Sequence, residues 1–320
     1  MSWRRVVTRR ARIAISLLAT CAVGCDDGIR SLLPDAASPE VKARTWEQVP
    51  APAANYFGVS GSGPNDIVVV GSGGMIARWN GSALVAEDSG TDRDLYGVHV
   101  VSPTRAIAAG AQGTVLEWNG TRWVTASVPT TQHLRAAWAS ESEALVVGEV
   151  GTALAKKDGA WQAVSSEIAV DLLAVSNSPD GVFAVGALGM VGWYEGGRLV
   201  RRPVRGFNKT LAAATTGAGG TYIAGLDGSL FRHDGSFTVI EGLPSVFVRG
   251  VAAPGEDVYV AGWDGFLAKI RGGKVSTYDT VPERWLSGMH ANGPSDVWVV
   301  GASGLVLHGP PQALADGGLQ

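Results

Sequence analysis

The stretch Ile67-Val68-Val69-Val70-Gly71-Ser72-Gly73-Gly74-Met75-Ile76-Ala77-Arg78-Trp79-Asn80-Gly81 decides the fold, because the chain carries seven versions of it. Four apolar residues lead into G-x-x-G, an alternating segment follows, and a second turn closes the copy. The first glycines of the motif are Gly71, Gly110, Gly148, Gly186, Gly225, Gly262 and Gly301, and their partners are Gly74, Gly113, Gly151, Gly189, Gly228, Gly265 and Gly304. Successive copies lie 37 to 39 residues apart and none lacks either glycine. Self-similarity at such a fixed period marks a repeat architecture.

Each copy divides internally in the same way. Runs such as Val182-Phe183-Ala184-Val185 and Val297-Trp298-Val299-Val300 are apolar at every position, which suits a strand covered on both faces. The G-x-x-G supplies a tight reversal in which glycine accepts positive φ at no steric cost. The next segment, for example Thr114-Val115-Leu116-Glu117-Trp118, ends in turns such as Asn80-Gly81, Asn119-Gly120 and Asp158-Gly159, and these are strong hairpin signals. A fourth strand leaves each turn. Upstream of every apolar run lies a segment of small residues, such as Gly58-Val59-Ser60 or Ala136-Ala137-Trp138, fit for the crowded axis where sheets converge. The pattern predicts an all-β fold, a seven-bladed β-propeller of four-stranded antiparallel blades over residues 45–309.

Ring closure is also legible. The seventh copy ends at His308-Gly309-Pro310-Pro311 without a fourth strand, while an orphan Thr45-Trp46-Glu47-Gln48-Val49 precedes the first copy. The N-terminal strand is expected to complete the last blade and so remove an open edge. A solenoid of the same repeats would need capping units instead.

Gly61-Ser62-Gly63-Pro64-Asn65-Asp66 leading into Ile67–Gly71, Arg78-Trp79-Asn80-Gly81, and Ser295-Asp296-Val297-Trp298 resemble exported bacterial propellers. These are grouped with the bacterial-neuraminidase-repeat and photosystem II assembly-factor-like proteins. The resemblance implies the fold over residues 45–309 and leaves the activity open, since one fold hosts many functions. The neuraminidase repeat S-x-D-x-G-x-T-W is absent, with only the Asp-Gly step kept at Asp227-Gly228 and Asp264-Gly265. Trp-Asp, the dipeptide of intracellular propellers, occurs once, at Trp263-Asp264, in the G-x-x-G turn.

Composition fits a turn-rich, well-cored chain: 44 glycines and 11 tryptophans in 320 residues, 46% apolar and only 17% charged. A net charge of −3 argues against a polyanion binder, and nucleic acid is not an expected partner. Residues 1–24 read as a signal peptide, with five arginines before the apolar run Ile13–Gly24. That run is too short for a permanent span. The only cysteines are Cys21 and Cys25. Ala22-Val23-Gly24-Cys25 resembles a bacterial lipobox, with Ala22 where leucine is usual, so Cys25 is expected to carry lipid at the mature N-terminus. Residues 25–44 read as a flexible tether and 310–320 as a C-terminal tail. A lipid-anchored monomer of a bacterial cell envelope follows as the expectation.

Chemistry is poorly signalled. The five histidines form no close-spaced ligand set; His99 and His290 fall at equivalent inner-strand positions and read as channel-lining or packing residues. Glu87, Asp88, Asp92 and Asp94 lack calcium-loop spacing. No G-x-S-x-G elbow is present, and the chain after Cys25 has no thiol. No catalytic residue, metal or cofactor is expected. The reading is a non-enzymatic binding scaffold for a protein or surface glycan; the alternatives are a polysaccharide hydrolase or lyase, or an assembly factor for a membrane complex. The G-x-x-G turns and the links between blades should share one face. On it Arg202, Arg205 and Phe207 follow blade four, Asp227 lies in the turn of blade five, Trp263 and Asp264 in that of blade six, and Arg284 and Trp285 in the link after it. Exposed Trp and Arg are enriched in binding hot spots, so these eight residues are the candidate partner site.

Overall fold

The computed structural model describes residues 46–202, 204–278, 280 and 284–310. The signal segment, Cys25, the tether and the tail beyond Pro310 lie outside them. Each apolar run forms the second strand of a blade, preceded by the small-residue strand at the axis and followed by two outer strands. Blade one, for example, consists of Tyr56–Gly63, Asp66–Gly71, Ile76–Trp79 and Leu84–Glu87. Seven such antiparallel sheets are present. In the last, Glu47–Gln48 pairs with Val306–Gly309, matching Glu47 to His308 and Gln48 to Leu307, so the N-terminal strand closes the ring. Blade four carries one element without a sequence signal, Ser165–Ser166, which pairs parallel to Arg198–Arg201 at its outer edge.

The second strands are apolar throughout because alternate side chains enter different cores. Val68 and Val70 pack with Leu95, Val98 and Trp123 of blade two, while Ile67 and Val69 pack with Trp298, Val300 and Val306 of blade seven. All four are fully buried. Each contributes about 1.5–3 kcal/mol of apolar burial, so every blade is stabilised mainly by its two neighbours.

The turns differ from the expectation in one respect. The first glycine is extended, with φ −164° at Gly71, and glycine is needed there because a Cβ would sit 2.3 Å from the Asn55 carbonyl oxygen. In six of the seven turns positive φ falls on the third and fourth motif positions instead, and in blade five on Gly228 at the fourth alone. The third is often not glycine: Gln112, Val150, Leu188, Asp264 and Ser303 all hold φ between 52° and 57°. For a β-branched residue such as Val150 this conformation is rare and costs about 1–2 kcal/mol.

Candidate functional site

Turns and links do share a face. In four motifs the fourth-position glycine donates to the following link: Gly113 N–H to the Gln132 carbonyl at 2.8 Å, Gly189 to Lys209, Gly265 to Arg284 and Gly304 to Ala54, each of these three at 2.6 Å. A second contact recurs at four junctions. The side chain just before an inner strand accepts from the third-position N–H of the preceding turn: Asp94 from Gly73 at 2.8 Å, His133 from Gln112 at 3.4 Å, Asp171 from Val150 at 2.9 Å and Asn55 from Ser303 at 2.9 Å. These polar latches satisfy an otherwise open donor and tie adjacent blades together at those four junctions.

At the junctions after blades five and six the latch position is held by Phe247 and Trp285, neither of which can accept the bond. Both rings stack instead on Trp263 of the blade-six turn. The Phe247–Trp263 centroids are 4.4 Å apart with planes at 27°, and Trp263–Trp285 5.2 Å apart at 11°. All three stay exposed, at 46%, 38% and 54%. A large aromatic is ordinarily mostly buried, so an open three-ring stack is unusual. Asp264 is exposed beside it, and Arg284 donates to the Ser303 carbonyl at 3.3 Å.

The structure thus brings Trp263, Asp264, Arg284 and Trp285 together and places the other four candidates elsewhere. Arg205 is exposed on the link after blade four. Arg202 pairs with Glu195 at 2.7 Å, its guanidinium 6.0 Å from the Trp193 ring on the blade's outer edge. Phe207 is half-buried and packs edge-on against Phe231, between blades four and five. Asp227 is exposed and accepts from Ser229 within its own turn. Phe247 escaped the sequence reading; its signal was an aromatic at a position where four other blades carry Asn, Asp or His.

The inner strands add a second feature on this face. Every one has a β-bulge at its start, between Tyr56 and Gly58 in blade one and at the equivalent place in the other six. Bulges re-aim side chains. The bulged residues Phe57, Tyr96, Arg135, Leu173, Ala212, Arg249 and Ser287 line a cavity of about 290 Å³ at the axial mouth. Arg135 pairs with Glu149, and its guanidinium lies 4.5 Å from the centre of the Tyr96 ring. Arg249 reaches solvent through the mouth, and among the described residues no carboxylate pairs with it. Protein packed around its guanidinium, with Arg135 adding like charge, lowers its pKa from the ordinary arginine value.

At the opposite end of the axis a cavity of about 540 Å³ is lined by Ser60, His99, Asn177, Thr215, His290 and Asn292, among others. Burial, reinforced by His290, brings the His99 pKa down to about 4, so the ring is neutral near pH 7 and accepts at Nδ1 from the Ala139 N–H at 3.2 Å. Burial lowers His290 too, against a hydrogen bond to Asn292. Among the described residues no three metal-ligating side chains converge. The acidic loop after blade one has structural duties: Glu87 bonds Arg78 and the Trp123 indole, Asp88 caps Gly90, and Asp94 is a latch.

No protein-family model matches the sequence, and no curated protein is significantly similar to it. Solved structures are similar in fold. YCF48 bound to D1 peptide superposes with a TM-score of 0.69 at 18% identity, covering 88% of this chain and all of that one. YCF48 from Cyanidioschyzon merolae gives 0.66 at 16%, covering 84% and 100%. A streptogramin B lyase gives 0.73 at 11%, covering 83% and 99%. The chain is therefore a seven-bladed propeller similar in architecture to YCF48 and to streptogramin B lyase.

Proposed function

We propose that this chain is a lipid-anchored envelope propeller that binds a protein partner, without catalysis, on the face formed by its turns and links. One observation carries the reading: Phe247, Trp263 and Trp285 form an exposed stack where four other junctions use a polar latch. The fold does not require the aromatics there, and their exposure costs solvation that only a docked surface would recover. YCF48, similar in fold, is recorded with a peptide bound, which supports a peptide or protein as the class of partner. Among the described residues the linings of the two axial cavities contain no Asp or Glu, whereas glycoside chemistry needs paired carboxylates.

Photo-crosslinking in intact cells tests the docking face. A photoreactive residue at Ser245, exposed beside the stack, should give a discrete protein adduct, and one at Asp234, on the opposite face, should give none. Replacing Trp263 and Trp285 together with alanine should abolish the adduct while leaving the melting curve nearly unchanged. Adducts of equal yield from both faces, or an adduct that survives the double substitution, would overturn the assignment.

The anchor is checked separately. Mass spectrometry of the mature protein should find Cys25 as a lipid-modified N-terminus, with more than one acyl chain, because a single chain holds a protein only marginally. An unmodified N-terminus at another residue, on protein recovered in the soluble fraction, contradicts it.

A further inference from the structure

The axial mouth on the link face is a site of a different kind from the aromatic stack. Its frame repeats in all seven blades: a bulge at the start of the inner strand presents one side chain to the axis, above a floor of small residues such as Gly58, Gly97, Ala136, Ala174 and Gly250. What the blades present varies. Blades one, two, four, five and seven supply Phe57, Tyr96, Leu173, Ala212 and Ser287, so the fold has no need of a cation at this position. Blades three and six, across the axis from each other, supply Arg135 and Arg249.

Only one of these two guanidinia has an acidic partner among the described residues. Glu149, from the turn of blade three, pairs with Arg135. Among the described residues Arg249 has no such partner and no Asp or Glu lines the cavity. Two like charges in a partly desolvated mouth repel each other and weaken folding unless an anion joins them. Guanidinium presents parallel N–H donors that match the two oxygens of a carboxylate. The remaining walls, Phe57, Tyr96, Leu173, Ala212 and Met289, are apolar or aromatic. A bare inorganic anion would leave them unfilled, and about 290 Å³ is at the small end of the range for ligand cavities, too small for a nucleotide.

We propose that the axial mouth binds a carboxylate carried on a small apolar body, with Arg249 as its principal ligand and Arg135 closing on it from the opposite blade. The body rests on the Phe57 and Tyr96 rings and the Leu173 and Met289 side chains. Such a group could arrive as a free small acid or as the C-terminus of a chain ending in an apolar residue. Both present the same chemistry. The site stands apart from the docking reading, since none of its ligands belongs to the aromatic stack.

The probes are N-acetylphenylalanine, N-acetylphenylalanine amide, inorganic phosphate and a short peptide ending in free phenylalanine, each titrated calorimetrically into the purified mature protein. The acid should bind and the amide should not. Comparing the acid with the peptide distinguishes the sources: tighter binding of the peptide assigns a chain terminus, tighter binding of the acid a free metabolite-sized ligand. R249Q should weaken either by about tenfold or more, the loss expected for a charge-assisted hydrogen bond. It should fold normally, because Arg249 makes no ion pair among the described residues. Alanine at Trp263 and Trp285 should leave this binding intact, so failure here and failure of the docking face are told apart. Equal binding of the amide, phosphate binding as tight as the acid, or an R249Q protein that binds unchanged would overturn the proposal.

Discussion

Removing residues 45–49 is expected to lower the stability of the ring by several kcal/mol, the largest effect of any short deletion outside the blade cores. Trp46 is only 5% exposed, and its indole meets Tyr259 and Tyr278 of blade six edge-on, at centroid distances of 6.0 and 5.7 Å. A strand that pairs with blade seven therefore also packs on blade six. Truncating such an aromatic to alanine costs about 3–5 kcal/mol, because the fully buried Tyr259 is left facing a cavity. Deletion adds a second loss. Val306–Gly309 becomes an open edge, and the Val49 N–H to Val306 carbonyl bond at 2.9 Å disappears with the Glu47 and Gln48 pairing. Thermal melts check this: W46A should fall by about 10 °C and the deletion further, with aggregation as the edge pairs between molecules. A deletion variant that melts with the parent would mean that the ring closes without this strand.

The ring was legible in the sequence because its determinants are local and repeated. Four consecutive apolar residues before G-x-x-G need two buried faces, and only neighbouring blades on both sides provide them, as Ile67–Val70 illustrate. The missing fourth strand after His308 and the spare Trp46 segment then leave one way to close. The candidate site was legible only in part. Trp263 and Trp285 stood out as large side chains on expected turns and links, and they do meet. Phe207 carried the same signal yet packs on Phe231, since nothing local distinguishes a link aromatic that folds inward from one that stays out. The axial ring was missed for another reason. Its frame is legible as the small residues after each bulge, such as Gly250, while the residue just before them, Arg249, belongs to a strand whose alternation the bulge breaks. Strict two-residue alternation assigns that side chain to the wrong face, so a cation at the axis is invisible until the register is seen.

Substituting alanine for Gly151 is expected to be as damaging as a core cavity, although the side chain added is one methyl. The residue sits at φ +68°, and a Cβ there would lie 1.8 Å from the Ile168 carbonyl oxygen and 2.6 Å from its carbon. Both atoms belong to the backbone of the link into blade four. That link cannot retreat cheaply, because the Ile168 side chain is 5% exposed in the core with Leu172 and Leu199, and its N–H donates to Ser166 Oγ at 3.0 Å. The methyl must therefore displace either the turn or the link, and with the left-handed backbone cost of about 1–2 kcal/mol the total should exceed about 4 kcal/mol. Gly73 supplies the control. It also holds positive φ, at +63°, but an added Cβ meets nothing within 4 Å, and five other blades hold a side chain there at positive φ. G73A should lose only the backbone term. Denaturant melts of the two variants separate close approach from backbone conformation: if G151A and G73A unfold at the same midpoint, the last glycine of the motif is kept for its φ alone, and the packing of turn against link is not what holds adjacent blades in register.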